Sequence, residues 1–574
     1  MLSSGGYAFH CTHVRKYIIT KNPDTFNRSD PAMHRLLLFV IMLPFSLLAG
    51  QLGININFAE RGGTFVDVAK EEYRWSTVGS GDELTAAQVD EYGWPKIDAQ
   101  FVVDYRPVAE WSGQIDDPEA YRIDVSGTYK CAFTGSAEVR RATGGAVQNK
   151  AYDATSNTTT FDFVVPGPPG AGHGLLIIEF SSTKRTASSA VGSGITGFRM
   201  IRPGYDLSTM QAFTNEFIAA LTGIKFSAIR FMNFTMTNGC DPDYPAHMTW
   251  SNRKRKEDAS QNRIAPLGKT DGGAWEYVIE LCNLVHMDPW INIPVSADSG
   301  YVTEVAKLFK ATLAPDRSIY VESSNEVWNT APGFEQSLYS QAQAQALGIG
   351  DQANHARRTV EIAKLFAQVF GADALNKNIR IILCSHKPML KWWVAPMLDT
   401  IAKAYGPPKD YLYAIACQTY FGSGATAGES VDKILADCRK DITGQIDETG
   451  GTDEAGRKQW VKLAKDRGLA GGFCSYEGGP DHGGGSTDNI ANRITAERDS
   501  RMADIWTYNY DSAFFQVGAN LGMQFTLSSA FTRYGCWGLT DDITKPERCA
   551  KYAAAKNLPT SIRPQSHHDV ESTT

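Results

Sequence analysis

The chain has 574 residues, 43% of them hydrophobic and 21% charged, and 56 Lys and Arg against 63 Asp and Glu give it a formal charge of −7. This composition belongs to a globular protein with a large core and excludes a disordered, collagenous or disulfide-knot chain. Mild acidity without a long basic run speaks against a nucleic-acid partner.

In chain order, the first feature is an apolar run from Leu36 to Ala49, preceded by Met33-His34-Arg35. It is shorter than the ~20 residues of a membrane span and fits the apolar stretch of a secretory leader, with Ala49-Gly50 as a small-residue cleavage point. Residues 1–50 are therefore expected to be a leader region with Met33 as the working start. The protein is expected to be secreted, with no stable membrane association; the alternative is a short N-terminal anchor.

From Gln51 to about Ser193 the texture is that of short strands: Phe101–Tyr105, Tyr121–Val125, Thr158–Val165 and Leu175–Phe180, separated by turn residues such as Gly167 to Gly172. A β-sandwich is expected over residues 100–195. After Gly194, strands alternate with helices. Strands are expected at 226–232, 289–294, 318–322, 379–384, 412–417, 471–476 and 523–527. Helices are expected at 275–285, 301–313, through a long region to Phe370, at 393–405 and at 455–468. The eighth strand is either Gly53–Phe58 or Gly197–Ile201. The fold class is α/β: a (β/α)8 TIM barrel built from residues 51–99 and 196–560, with an additional β-sandwich domain and a polar tail at 561–574. The active site of such a barrel lies at the C-terminal strand ends. The change of texture suggests that the sandwich could be excised without loss of the barrel.

Ten cysteines are present and no C-x-x-C, so zinc-ribbon and thioredoxin motifs are missing. Cys384, Cys417, Cys474 and Cys536 lie in apolar runs and are expected to be buried. Cys131, Cys240, Cys438 and Cys549 have more polar neighbours and could pair in an oxidising compartment. Gly192-Ser-Gly-Ile-Thr-Gly197 matches G-x-G-x-x-G, but a strand follows it rather than a helix, so it reads as a joint. Gly268-Lys269-Thr270 ends like a phosphate loop, with Arg263 where the first Gly is required. H-E-x-x-H and G-x-S-x-G are absent. No metal site and no organic cofactor is expected.

Two carboxylates stand at expected strand ends: Glu326, in Val321-Glu-Ser-Ser-Asn-Glu-Val-Trp328-Asn329, and Glu477, in Phe473-Cys-Ser-Tyr-Glu-Gly-Gly-Pro480. A single such Glu would be an ordinary loop carboxylate. Two facing each other across a cleft are the working parts of glycoside hydrolysis, one protonating the leaving oxygen and the other attacking the anomeric carbon.

Asn325-Glu326 on strand four with Glu477 on strand seven resembles the retaining TIM-barrel glycoside hydrolases of clan A. The resemblance implies Glu326 as acid/base, Glu477 as nucleophile and Asn325 as the group holding the sugar 2-hydroxyl. It further implies Arg230 beneath the nucleophile, Tyr420 in contact with it, and Trp537 at a strand-eight position flooring the cleaved sugar. Gln418 stands where a histidine is often found. A narrower likeness, on Phe65–Lys70, Asp288–Pro294 and Val321–Asn329, is to secreted bacterial barrel proteins labelled cellulose-binding. It spans about 50–100 and 196–540 and favours Gly53–Phe58 as strand one, with the sandwich inserted after it.

Chemistry assigns further expectations. The negative charge of Glu477 should raise the pKa of Glu326, Arg230 should hold Glu477 ionised, and the two carboxyls should lie ~5–5.5 Å apart for a retaining mechanism. Glu322 lies deeper on its strand and is expected to be a buried structural carboxylate. Trp328 could floor another subsite, and Asn292 and His386 are candidate substrate contacts. The expected partner is a polysaccharide or oligosaccharide, with glucan, mannan, xylan and galactan all open. The alternative is a non-catalytic carbohydrate-binding barrel.

Overall fold

Strand order along the chain is β1 (Gln51–Asn55), β2 (Arg74–Thr77), β3 (Ala99–Asp104), β4 (Gly127–Thr134), β5 (Ser136–Thr143), β6 (Ala146–Asp153), β7 (Thr158–Val165), β8 (Leu175–Lys184), β9 (Thr196–Ile201), β10 (Ala228–Arg230), β11 (Asp288–Ile293), β12 (Ile319–Ser323), β13 (Ile379–Cys384), β14 (Ala414–Phe421), β15 (Gly472–Pro480) and β16 (Leu521–Gln524). The computed structural model describes residues 50–559 apart from 72–73, 108–109, 111–112, 114–115, 171, 239–247, 263–271, 425–427 and 448–455. Residues 1–49 of the expected leader, Cys240, Gly268-Lys269-Thr270 and the polar tail lie outside the described residues.

Strands β1, β10, β11, β12, β13, β14, β15 and β16 pair in that order and close on one another, all parallel. This is a (β/α)8 TIM barrel. Its strands read as continuous apolar runs because both faces are covered; every residue of β11 and of β13 is buried. One face of the strands fills the barrel with Ala228, Trp290, Tyr320, Ile382, Ala416, Cys474 and Met523. The other, with Ile229, Ile291, Val321, Ile381 and Ile415, packs under the surrounding helices. Gly53 leaves the room this filling needs, since a Cβ there would meet Met523 Sδ at 2.1 Å.

The chain leaves the barrel after β1 and returns for β10. Between them, β2-β3-β8-β5 and β6-β7-β4-β9 form two four-stranded sheets. Alternation sets their inner faces: in β7, Thr159, Phe161, Phe163 and Val165 are buried. The core is aromatic, with Phe198 lying 5.0 Å from Phe101 and 5.3 Å from Phe180 between ring centroids. The sheets extend beyond the expected 100–195. Arg74–Thr77 belongs to the sandwich rather than the barrel, and Gly197–Ile201, the alternative eighth strand, is part of β9. Gly194 is the joint: φ is +79°, and a Cβ would come 1.9 Å from the Pro95 carbonyl oxygen.

Tyr121–Val125 is not a strand. It belongs to a connection that ties the sandwich to the barrel's last loops. Asp117 takes two hydrogen bonds from Arg498, at 2.6 and 2.8 Å, and Arg498 also reaches Asp541 at 2.7 Å. Asp116 takes the guanidinium of Arg533, Tyr121 donates to Asp542 at 2.5 Å, and Arg548 lies 3.6 Å from the Tyr121 ring centroid. These contacts argue against free excision. Arg498→Ala strands Asp541 in a buried position without that arginine, and should cost about 2–4 kcal/mol, read as a lower calorimetric Tm; an unchanged Tm would show that the tie contributes nothing.

All eight cysteines among the described residues are buried free thiols. Cys131, Cys438 and Cys549 therefore do not form disulfides as their polar neighbours suggested. Cys131 sits on the inward face of β4 with Tyr129 and Phe133, and Cys438 on the apolar face of its helix with Ile434, Leu435 and Ile442. Periodicity, not the nearest neighbours in sequence, decides which way they point.

Candidate active site

Arg230, the last residue of β10, organises the floor. All five of its N–H groups are used: Nε and Nη2 bind the two oxygens of Glu322 at 3.0 and 3.1 Å. Nη1 binds Glu477 at 2.7 Å and Asn55 at 3.1 Å, and Nη2 also binds Asn325 at 2.8 Å. Glu322 is held further by Trp290 Nε1 at 2.8 Å, a buried structural carboxylate. Arg230 is 0% exposed, and its bonds go to the carboxylates and amides around it.

Glu477 is reached through a register shift. Along the β14–β15 ladder Cys417 pairs with Ser475 but Gln418 pairs with Glu477, so Tyr476 is an extra residue. Simple alternation would send Tyr476 and Glu477 to opposite faces; the bulge brings both into the site. Glu477 Oε2 accepts from Tyr420 at 2.9 Å. Tyr476, buried, donates toward Glu326 Oε1 at 2.8 Å and Gln418 Oε1 at 3.2 Å.

Glu326 follows β12 on a tight exit, with positive φ at Ser324 (60°) and at Glu326 itself (43°). Non-glycine residues pay for that conformation and hold it where neighbours fix it. Asn292 Nδ2 fixes the Ser324 carbonyl at 2.8 Å, and Asn329 Nδ2 donates to Glu326 Oε2 at 3.0 Å. Among the described residues no cation is bonded to Glu326. Burial first, and the charge of Glu477 second, push its carboxyl up to about 7. Burial also raises Glu477, opposed by the contact with Arg230 and the bond from Tyr420. Arg230 is hydrogen-bonded to Glu477 and acts on Glu326 only from a distance, which favours the charge on Glu477 and the proton on Glu326.

Asn325 is buried, its Oδ1 taken by Arg230 and one Nδ2 hydrogen by Asn238; among the described residues nothing takes its second amide hydrogen. Trp328 stacks on His386, ring centroids 4.5 Å apart and 13° between planes, and both are partly exposed. Burial, with Lys387 next to it, pushes the His386 imidazole down to about 4. Asn292 is buried, and its Nδ2 braces the Glu326 exit. One expectation needs correction: Trp537 is not on strand eight, which ends at Gln524. It returns from a later loop, held by Thr526 N to its carbonyl at 3.1 Å and by its Nε1 to Asp481 at 3.0 Å. Phe525, at the actual strand end, lies between Trp537 (5.6 Å) and Tyr420 (6.2 Å).

Tyr476, Asn329, Asn238 and Phe525 were not legible as site residues. Only Asn329 carried a signal, being i+3 from Glu326 in a turn.

No family model matches the chain, and no curated protein matches it. Among solved structures, an arabinose-bound α-L-arabinofuranosidase is similar at 11% identity and a TM-score of 0.41, over 90% of this chain and 81% of that one. A fungal β-1,4-galactanase is similar at 11% and 0.33, over 60% and 91%, and a Penicillium canescens endo-1,4-β-xylanase at 11% and 0.34, over 63% and 93%. These activities belong to those proteins; the barrel here rests on its own strand pairing.

Proposed function

We propose that this chain is a secreted, retaining glycoside hydrolase cleaving β-glycosidic bonds in a polysaccharide, with Glu326 as acid/base and Glu477 as nucleophile. The observation that carries the proposal is the asymmetry of the two carboxyls: one on Arg230 and Tyr420, the other without a cation and held protonated to about 7. Glu477 attacks the anomeric carbon as Glu326 gives its proton to the leaving oxygen. Glu326, now a carboxylate, then deprotonates water, which displaces Glu477 and restores the β configuration. The remaining amide hydrogen of Asn325 is suited to the sugar 2-hydroxyl, Trp537 to one sugar face, and the Trp328–His386 pair to another. The chemistry calls for no metal or organic cofactor. Secretion rests on the leader-like run Leu36–Ala49 alone.

Incubation with glucan, mannan, xylan and galactan tests the proposal by new reducing ends, which should appear with at least one of them. Binding without cleavage by the folded protein would instead make it a carbohydrate-binding barrel. Because the acid must be protonated, kcat/KM should fall as pH rises through about 7; a rate still climbing at pH 9 would take Glu326 out of that role.

A further inference from the structure

We propose that Tyr476 and Gln418 are positioning residues forming a two-position hydroxyl switch, in which the Tyr476 proton moves between Gln418 and Glu326 as Glu326 gains and loses its own. This rests on the assignment of Glu326 as the acid/base.

The reasoning is a count of protons. Tyr476 has one O–H, yet it lies 2.8 Å from Glu326 Oε1 and 3.2 Å from Gln418 Oε1. It can donate to only one of them at a time. The orientation of the Gln418 amide is pinned, because its Oε1 also accepts from Lys387 N at 3.1 Å, and a backbone N–H can only donate. Gln418 therefore offers Tyr476 an acceptor in every state. The other Glu326 oxygen faces Asn329 Nδ2 at 3.0 Å, again a pure donor. Among the described protein groups, only Tyr476 Oη, against Oε1, offers the proton of a neutral Glu326 an acceptor, and the Tyr476 O–H then points at Gln418.

When that proton passes to a leaving oxygen, the Tyr476 hydroxyl turns and donates to the new carboxylate. The Oε1–Oη hydrogen bond is thereby reversed, from one the acid donates to one the carboxylate accepts, without any heavy atom moving. Tyr476 is held for this: its ring packs 5.0 Å from the Arg230 guanidinium, its carbonyl accepts from Asn55, and it is 0% exposed. The other groups that bear on Glu326 are Glu477 on β15, Arg230 on β10, paired with Glu322 of β12, and Tyr420 on β14. Beyond β13, Lys387 lies next to His386, which stacks on Trp328. None of these offers a proton that must choose between two acceptors at Glu326.

The switch predicts opposite displacements from two variants. Tyr476→Phe removes the donor that favours the carboxylate, so Glu326 should titrate about one pH unit higher. Gln418→Met removes the acceptor that favours the neutral acid, so Glu326 should titrate about half a unit lower. The measurement is carbon-13 NMR of the intact protein labelled in its Glu carboxyls, with Glu326→Gln identifying the resonance. If Tyr476→Phe does not fold, the downward shift in Gln418→Met carries the test alone. Displacements in the same direction, or none in Gln418→Met, would overturn the switch. Opposite displacements in a protein that cleaves no glycan would leave the switch standing and remove the proposed function.

Discussion

Glu477→Ala should lose hydrolysis of every substrate by about 10⁴-fold or more, because no glycosyl-enzyme can form without the nucleophile. Glu326→Ala should behave differently. A substrate with an activated aryl leaving group needs no protonation, so this variant should still be glycosylated and then stall. Added azide separates the two roles. It enters from the face each deleted carboxyl occupied, so Glu326→Ala should give a β-glycosyl azide and Glu477→Ala an α-glycosyl azide. Exchanged configurations would exchange the assignments. Undiminished activity in both variants would make the pair decorative.

The second large effect concerns Arg230. Arg230→Met keeps the volume and removes the charge from a position where two carboxylates share it, Glu322 at 3.0 Å and Glu477 at 2.7 Å. It also leaves the Oδ1 atoms of Asn55 and Asn325 without the donor they have now. Breaking a buried ion pair from one side costs about 3–5 kcal/mol, so denaturant midpoints should fall by that equivalent. The loss should be larger at pH 8 than at pH 5. Without the arginine, burial of the Glu477 carboxyl is no longer opposed by that charge and its folded-state pKa rises further, so the stability kept at low pH is lost as pH rises through that value. Arg230→Lys should recover part of the charge but not the five-donor fork, and should fall between the two. Equal stability of all three proteins would show that the floor is not built on this residue.

How much of this was readable before the structure follows from the kind of signal each part leaves. The barrel strands are buried on both faces, so they stand out as unbroken apolar runs, and Gly53 in the first of them fits its contact with Met523. Glu326 and Glu477 were found because polar residues at the ends of such runs are conspicuous. Tyr476 was hidden by the bulge: strict alternation from Glu477 sends it outward, and only the β14–β15 register turns it inward. The strand-eight place of Trp537 was implied by the resemblance alone. The strand stops at Gln524, and hydrogen bonds spanning 13 residues, such as Gln524 Nε2 to the Trp537 carbonyl at 2.9 Å, bring the loop back. That Asn292 ties the Ser324 carbonyl was not readable, because sequence does not show which backbone group a strand-end amide reaches. The sandwich began earlier than its texture suggested, since Arg74–Thr77 pairs with a strand 22 residues on at its nearest rung, Thr77 to Ala99.

The central claim is that Glu477 becomes covalently bonded to the sugar. It is tested most directly by incubating the protein with a set of activated 2-deoxy-2-fluoro-β-glycosides in the gluco, manno, xylo and galacto series. The fluorine slows hydrolysis of the intermediate, and mass spectrometry of the digested protein then locates the added sugar. One of these reagents should add a single glycosyl group to the peptide carrying Glu477, and none should label Glu477→Gln. A sugar attached to Glu326 or to another carboxyl, or turnover of the matching substrate to an inverted product with no adduct, would contradict the account.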